Sequence, residues 1–321
     1  MEQAAIRIVY MGTPEFAVEP LKALVQGGFR VVAVVTMPDK PAGRGMKMQA
    51  SPVKNFALEH SIPVLQPEKL KDPAFIMDLR AYQADLQIVV AFRMLPEVVW
   101  NMPPMGTFNL HASLLPAYRG AAPIHWAVIN GERRTGATTF FLQHEIDTGD
   151  VLLQRSIEIA PQESTGEVHN RLMQLGADLV VETVTGLIQG SLKPTPQREL
   201  HDGVVTFAPK LFRENTRIDW QKPVSAIFNF VRGLCPYPAA WTEWHVSDGK
   251  VLFVKILEVE VVEAVCTQSI GRIQTDGKRF FRIACADGWV YLKRIQVPGK
   301  KVMSIEDYLR GNSPDTNGLF C

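Results

Sequence analysis

The sequence predicts an α/β fold, a doubly wound and mostly parallel sheet followed by a small C-terminal β-barrel. Three observations carry this. The chain opens with an apolar run at Ile6–Gly12, a helical stretch, and a second apolar run at Arg30–Thr36. That β-α-β order builds parallel sheets with right-handed crossovers. A further run without alternation, Leu86–Phe92, suits a central strand buried on both faces. After a helix near Val224–Gly233 the pattern changes to short alternating segments separated by turns, as in a small barrel. The first part is therefore Rossmann-like.

Taken in order, Gly12 ends the first strand, Thr13 is a candidate N-cap, and Pro14 suits the first helical position. Gly27-Gly28 closes that helix. The first turn reads Gly12-Thr13-Pro14-Glu15-Phe16, not G-x-G-x-x-G, which argues against a dinucleotide. Residues 37–51, MPDKPAGRGMKMQAS, hold two prolines, two glycines and the cations Lys40, Arg44 and Lys47. They are expected to form a loop without regular structure in the free protein. By itself this loop fits a solvated surface; Gly and Arg are also what close approach to a phosphate backbone needs.

Residues 52–83 read as helix, loop and helix around Ile62-Pro63-Val64-Leu65. A strand at Thr107–His111 follows the central one, then a short helix at Pro123–Asn130. Strands at Ala137–Gln143 and Val151–Ile159 flank a turn at Asp147. Ser164-Thr165-Gly166-Glu167 is a capping box; it opens a long helix with a core stripe of Val168, Leu172, Leu175 and Leu179, ending near Gly190. His169 on that helix and His60 on another read as surface residues. Ser191–Arg198, polar with two prolines, reads as an interdomain linker. A helix at Val224–Gly233 precedes strands at Ala240–His245, Val251–Val259, Gly271–Gln274, Phe280–Ala284 and Val290–Ile295. The expected division is 1–190 with the basic loop 37–51, a linker at 191–208, and a second domain at 209–321.

Net charge is +1, so nothing global demands nucleic acid. From residue 201 onward 16 Lys/Arg face 13 Asp/Glu, a surplus that merely permits a polyanionic partner. Four cysteines without CxxC or Cys/His spacing read as thiols of a reducing compartment. With no membrane-length apolar run, and a strand at the very start where a signal peptide would lie, the expected location is cytoplasmic.

The chemistry concentrates in Thr107–Gly120, TFNLHASLLPAYRG. Residues two apart on a strand share a face, so Asn109 and His111 point together beyond the strand end, where open α/β sheets place ligands. The same pair would also fit an edge strand facing water. Asp147, in a turn between two apolar runs, supplies a third group. A Ser-His-Asp hydrolase using Ser113 can be drawn, but Ser113 lacks the G-x-S-x-G elbow. The histidines lack metal-ligand spacing, and no metal is expected.

Asn109-x-His111 within FNLHASLLPAYRGAAPI, together with HEIDTGD at 144–150, resembles the folate-dependent formyltransferases, most of all the members that act on methionyl-tRNA. The resemblance implies 10-formyltetrahydrofolate as co-substrate and the amino group of initiator methionyl-tRNA as acceptor. Formyl transfer passes through a tetrahedral oxyanion. Asn109 would donate to it, His111 would donate and move protons, and Asp147 would accept from the other imidazole nitrogen and favour its protonated form. Ser113, Leu114, Leu115 and Pro116 match the family's folate-contacting segment, and Val90, Ala91 and Phe92 would meet the pterin edge. The PDKPAGRG stretch is similar to a loop inserted at the acceptor stem, which assigns tRNA contact to Arg44 with Lys40 and Lys47. Lys210, in TFAPK, and Lys300 and Lys301 are further candidates for the phosphate face, and the barrel would be OB-like. Arg119 and Gly120 belong to the motif with either a substrate role or a loop-holding role. A monomer is expected. The competing readings are formyl transfer to an amino-sugar nucleotide and a catalytically inactive tRNA-binding protein.

Overall fold

The computed structural model describes residues 5–42, 47–200 and 205–321. They form two compact units, Met1–Gly120, Thr135–Ile157 and His169–Phe207 in one, Ala121–Arg134, Glu158–Val168 and Ala208–Cys321 in the other. The second unit thus takes in 121–134 and 158–168, which a cut at residue 190 assigns to the first domain.

In chain order the elements to residue 208 are β1 (Arg7–Gly12), α1 (Val18–Gln26), β2 (Arg30–Val35), β3 (Lys40–Ala42), β4 (Lys47–Gln49), α2 (Pro52–Glu59), β5 (Val64–Leu65), α3 (Pro73–Ala81), β6 (Leu86–Val90), α4 (Glu97–Trp100), β7 (Thr107–His111), β8 (Arg119–Gly120), α5 (Pro123–Ile129), β9 (Arg134–Phe141), β10 (Val151–Glu158), α6 (Thr165–Gln189) and β11 (Phe207–Ala208). The main sheet runs β10-β9-β7-β6-β1-β2-β5. β5, β2, β1, β6 and β7 are parallel, and β9 runs antiparallel to β7. The central strands are buried on both faces, as predicted: Ile8 to Met11 and Leu86 to Val90 are buried, polar Gln87 among them.

The chain builds outward from β1 to β2 and β5, then returns to place β6 on the other side of β1. The strand order reverses there, the position at which open α/β sheets bind ligands beyond the carboxyl ends of their strands. Register pairs Gly12 with Val90 at that edge. A Cβ on Gly12 would lie 2.7 Å from the Ala17 Cβ and 3.1 Å from the Val90 oxygen; the missing side chain lets the next turn close over the strand.

Three local expectations are corrected. Thr13 does not cap α1: Pro14 is extended and the chain enters a 3₁₀ turn at Glu15–Ala17 first, which leaves the Thr13 hydroxyl buried without a partner. Residues 37–51 are not irregular throughout, because β3 and β4 pair as an antiparallel ribbon. Its base is clasped by Thr36 Oγ1 and Ser51 Oγ at 2.8 Å and by Asp39 against Lys54 at 2.7 Å; Lys54 and Gln66 hold the Asp39 carboxyl below its ordinary range. Residues 191–198 are not a free linker: Thr195 and Val151 exchange backbone hydrogen bonds at 2.8 Å in both directions. β10 is the edge strand, and this segment satisfies the backbone groups of its first residue, Val151. The capping box at Ser164 forms as read, with Glu167 Oε2 accepting the Ser164 N–H at 2.7 Å. His60 is exposed, whereas His169 is half-buried, its ring edge-on to Phe16 at 5.2 Å.

The second unit carries α7 (Val224–Leu234), β12 (Ala240–His245), β13 (Val251–Glu263), β14 (Ile273–Thr275), β15 (Phe281–Cys285), β16 (Gly288–Gln296), β17 (Met303–Ser304), α8 (Ile305–Gly311) and β18 (Leu319–Phe320). The last three have no counterpart in the sequence reading. The antiparallel sheet runs β14-β15-β16-β13-β12-β18, with β17 on β16. Its two ends meet: the Phe320 N–H donates to the Gly271 oxygen at 3.0 Å, so the sheet is nearly closed into a barrel. Gly271 sits at φ +82 with its missing Cβ 2.2 Å from the Phe320 oxygen, which leaves room for glycine alone. Trp220, Trp244, Phe281, Tyr308 and Phe320 fill the interior. No helix among the described residues is long and apolar enough to cross a membrane.

Candidate active site

The site forms where β7 ends. Asn109 pairs with Val89 on one side and Phe140 on the other, which fixes its backbone inside the sheet. Its half-buried side-chain amide makes no hydrogen bond among the described residues, so its donors remain available. His111, two residues on, is 7% exposed and has the Phe140 ring edge-on at 6.5 Å.

His111 Nε2 lies 2.9 Å from the Tyr118 carbonyl oxygen. A carbonyl can only accept, so Nε2 carries the proton and Nδ1 of the neutral ring carries the lone pair. Asp147 Oδ2 faces that Nδ1 at 3.9 Å. This corrects the sequence expectation that Asp147 orients the ring by accepting its hydrogen bond. Tyr118 does the orienting, and Asp147 faces the reactive nitrogen at ion-pair distance. Both depend on left-handed backbone: Tyr118 at φ +59 turns its carbonyl onto the ring, and Asp147 at φ +55 turns its carboxylate back over β8. Such conformations cost a non-glycine residue of order 1 kcal/mol and persist where surrounding contacts hold them.

Those contacts come from three directions. The Gly120 N–H donates to Asp147 Oδ2 at 2.9 Å. The Tyr118 N–H donates to Thr206 Oγ1 at 2.8 Å and the Arg119 N–H to the Thr206 oxygen at 3.0 Å. Gln197, 5% exposed, donates from one nitrogen to the Asp147 and Gly149 oxygens, each at 2.9 Å, and its oxygen accepts from Arg119 at 2.6 Å. Gly120 and Arg119 thus hold the loop. Gln197 and Thr206 were missed by sequence reasoning. A single uncharged Gln between a Pro-rich stretch and a charged one carries no signal that it is buried.

Ser113 to Pro116 form a braced turn. Ser113 Oγ donates to the Ala117 oxygen at 2.6 Å, Thr138 Oγ1 to the Ser113 oxygen at 2.6 Å, and Gln154 to the Leu115 oxygen at 2.7 Å. Leu115 is buried against Phe140 and Val151, Pro116 is buried, and Leu114 is half-buried. Val90 is buried at the end of β6, Ala91 beyond it is exposed at φ +47, and Phe92 is half-buried under the Arg93 guanidinium at 5.7 Å. The region beyond β6 and β7 thus holds strand ends and a turn spent on its own bracing.

Lys40 is exposed on β3, Lys47 lies on β4, and Arg44 lies outside the described residues. Lys210 is exposed, its ammonium 5.5 Å over the Phe212 ring, and Lys300 and Lys301 are exposed in the turn after β16. The described residues contain no group of three or more His, Cys, Asp or Glu that could hold a metal ion.

Comparisons with known proteins agree with this layout. Residues 6–184 match the family model described as formyl transferase, and residues 210–313 match formyl transferase, C-terminal domain. The methionyl-tRNA formyltransferase of Bacteroides fragilis is 58% identical over 312 residues, 97% of this chain and 96% of that protein. That of Flavobacterium johnsoniae is 48% identical over 95% of this chain and 96% of its own length. Among solved structures, the sugar 3N-formyl transferase WlaRD, determined with dTDP and 5-N-formyl-THF, superposes with a TM-score of 0.63 at 17% identity, covering 92% of this chain and 99% of its own. HypX from Aquifex aeolicus in complex with tetrahydrofolic acid gives 0.60 at 19% identity over 94% of this chain and 46% of its own. At such identities the structures speak for the fold, and the sequence matches speak for kinship: this chain belongs to the formyl transferase family.

Proposed function

We propose that this protein transfers the formyl group of 10-formyltetrahydrofolate to the free amino group of methionyl-initiator tRNA. The observation that carries the chemistry is His111 Nδ1 facing the Asp147 carboxylate at 3.9 Å, with Asn109 and its unspent amide two residues before His111 on β7. The acceptor rests on near full-length identity to proteins named for that reaction.

The amine nitrogen attacks the formyl carbon, and the carbonyl electrons move onto oxygen. Asn109 donates to that oxyanion; a preorganised donor of this kind contributes about 3 kcal/mol, roughly two orders of magnitude in rate. His111 Nδ1, its lone pair kept free by the Nε2–Tyr118 bond, takes the proton from the attacking nitrogen. Asp147 stabilises the imidazolium that results. Collapse of the intermediate breaks the bond to N10 of the folate, which receives the proton. Leu114, Val90 and Phe92 would line the pterin's wall, with Ser113, Leu115 and Pro116 as its buried frame. Lys40 and Lys47 on the ribbon, Arg44 between them in the sequence, and Lys210, Lys300 and Lys301 on the second unit, would meet phosphates. A monomeric enzyme of the cytoplasm, where aminoacyl-tRNA and reduced folates meet, completes the reading.

The test is transfer of labelled formyl from 10-formyltetrahydrofolate to methionyl-tRNA, comparing initiator with elongator tRNA, for wild type, His111→Ala and Arg44→Ala. Transfer confined to initiator tRNA, lost in His111→Ala and weakened in Arg44→Ala, is the expected result. No transfer to any tRNA, with folate still bound, would move the acceptor to an amino sugar or another small amine.

A further inference from the structure

We infer that Gln197 is a positioning residue for formyl transfer, acting through the Asp147 turn. The inference rests on the reading of Asp147 as the group that faces His111 during catalysis.

Gln197 lies in a short 3₁₀ turn, Gln197–Glu199, two residues after Thr195 joins the edge of β10. Its carboxamide is fully committed. The nitrogen donates to the carbonyl oxygens on either side of Thr148, those of Asp147 and Gly149, and the oxygen accepts from the Arg119 guanidinium. Asp147 therefore has its carboxylate tied to Gly120 and its carbonyl tied to Gln197, which over-determines the left-handed backbone at this residue. The same carboxamide, through Arg119, touches the strand that follows Tyr118, whose carbonyl orients His111. One buried side chain thus couples the two loops that present the ring's two nitrogens with their partners.

Without these donations the Asp147 and Gly149 carbonyls lose buried partners and the turn is free to relax. An error of about 1 Å at a reacting group costs on the order of 100-fold in rate. Gln197→Met keeps length and volume but removes every hydrogen bond. Gln197→Glu keeps an acceptor for Arg119 and turns the two donations into repulsions, so it separates grip on the turn from grip on Arg119. The expected result is a fall in kcat of about 10- to 100-fold in both variants, with KM for folate and for methionyl-tRNA within about twofold of wild type and a retained cooperative thermal transition.

The deciding measurement is the double-mutant cycle with Asp147→Asn. A residue acting through Asp147 adds little once that carboxylate is gone, so Gln197→Met in the Asp147→Asn background should cost less than about twofold more. Additive losses would overturn the inference and leave a merely structural role. Wild-type kcat in Gln197→Met beside a crippled Asp147→Asn would also overturn it, with the catalytic reading intact. Wild-type kcat in Asp147→Asn would overturn both.

Discussion

Gly149→Ala exposes the geometry of the carboxylate turn most directly. An alanine Cβ there would lie 1.7 Å from the Phe141 carbonyl oxygen, and real Cβ atoms essentially never come within 3.0 Å of such a neighbour. Strand β9 or the turn must therefore retreat by at least about 1.3 Å. Phe141 is paired with Phe108 of β7 inside the sheet, so the strand end is held and the turn is the part that yields. Asp147 is two residues away and its carbonyl shares Gln197 with Gly149. A displacement of that size at the group facing His111 Nδ1 predicts a fall in kcat of about 100-fold or more. Overpacking against backbone adds a stability loss of roughly 1–3 kcal/mol, or roughly 2–12 °C in Tm for a unit of this size. Steady-state transfer from 10-formyltetrahydrofolate to methionyl-initiator tRNA, measured beside thermal unfolding, reads both. A variant that melts several degrees lower yet keeps kcat within about threefold of wild type would refute the dependence of catalysis on the Asp147 position.

Three other outcomes are expected. His111→Ala and Asn109→Ala should each lower kcat by at least about 100-fold with Tm unchanged within about 2 °C; a near-wild-type kcat in either would remove that residue from the mechanism. Gly271→Ala should weaken barrel closure by roughly 2–5 kcal/mol, from left-handed strain plus the clash with the Phe320 oxygen, seen as a lower urea midpoint in tryptophan fluorescence; an unmoved midpoint would show that closure there carries no stability. Burial, helped by Asp287, pushes the Cys285 thiol from 9.0 up to about 12. Because the folded value is the raised one, its contribution to stability is whole below pH 9 and is lost as pH climbs from 9 toward 12. Tm should therefore fall faster over that range in wild type than in Cys285→Ala, and iodoacetamide at pH 8.5 should spare Cys285 in the native protein while modifying half-exposed Cys266. Parallel Tm profiles for the two proteins, or native labelling of Cys285, would contradict that burial.

The sequence by itself determined the central strands of the main sheet and the order of the two units, and it offered three chemical groups for the site. Each of these is a local or periodic property: unbroken apolar runs mark β1 and β6, a spacing of two puts Asn109 and His111 on one face, and Asp147 sits between two apolar runs. It also placed α6, because a capping box is written in four consecutive residues. What it could not determine is set by contacts between distant segments. The ribbon of β3 and β4 depends on Thr36 meeting Ser51 and Asp39 meeting Lys54. The barrel's last strand, two residues long, exists because Leu319 and Phe320 pair with His245 and Trp244, about 75 positions back in the chain. At the site, tertiary structure decided which groups hold His111 and Asp147: a backbone carbonyl, which no residue identity encodes, and Gln197, from a stretch that reads as linker. Residue types name the chemistry available, whereas the distances that make it usable come from segments up to 88 positions apart, as Tyr118 and Thr206 are.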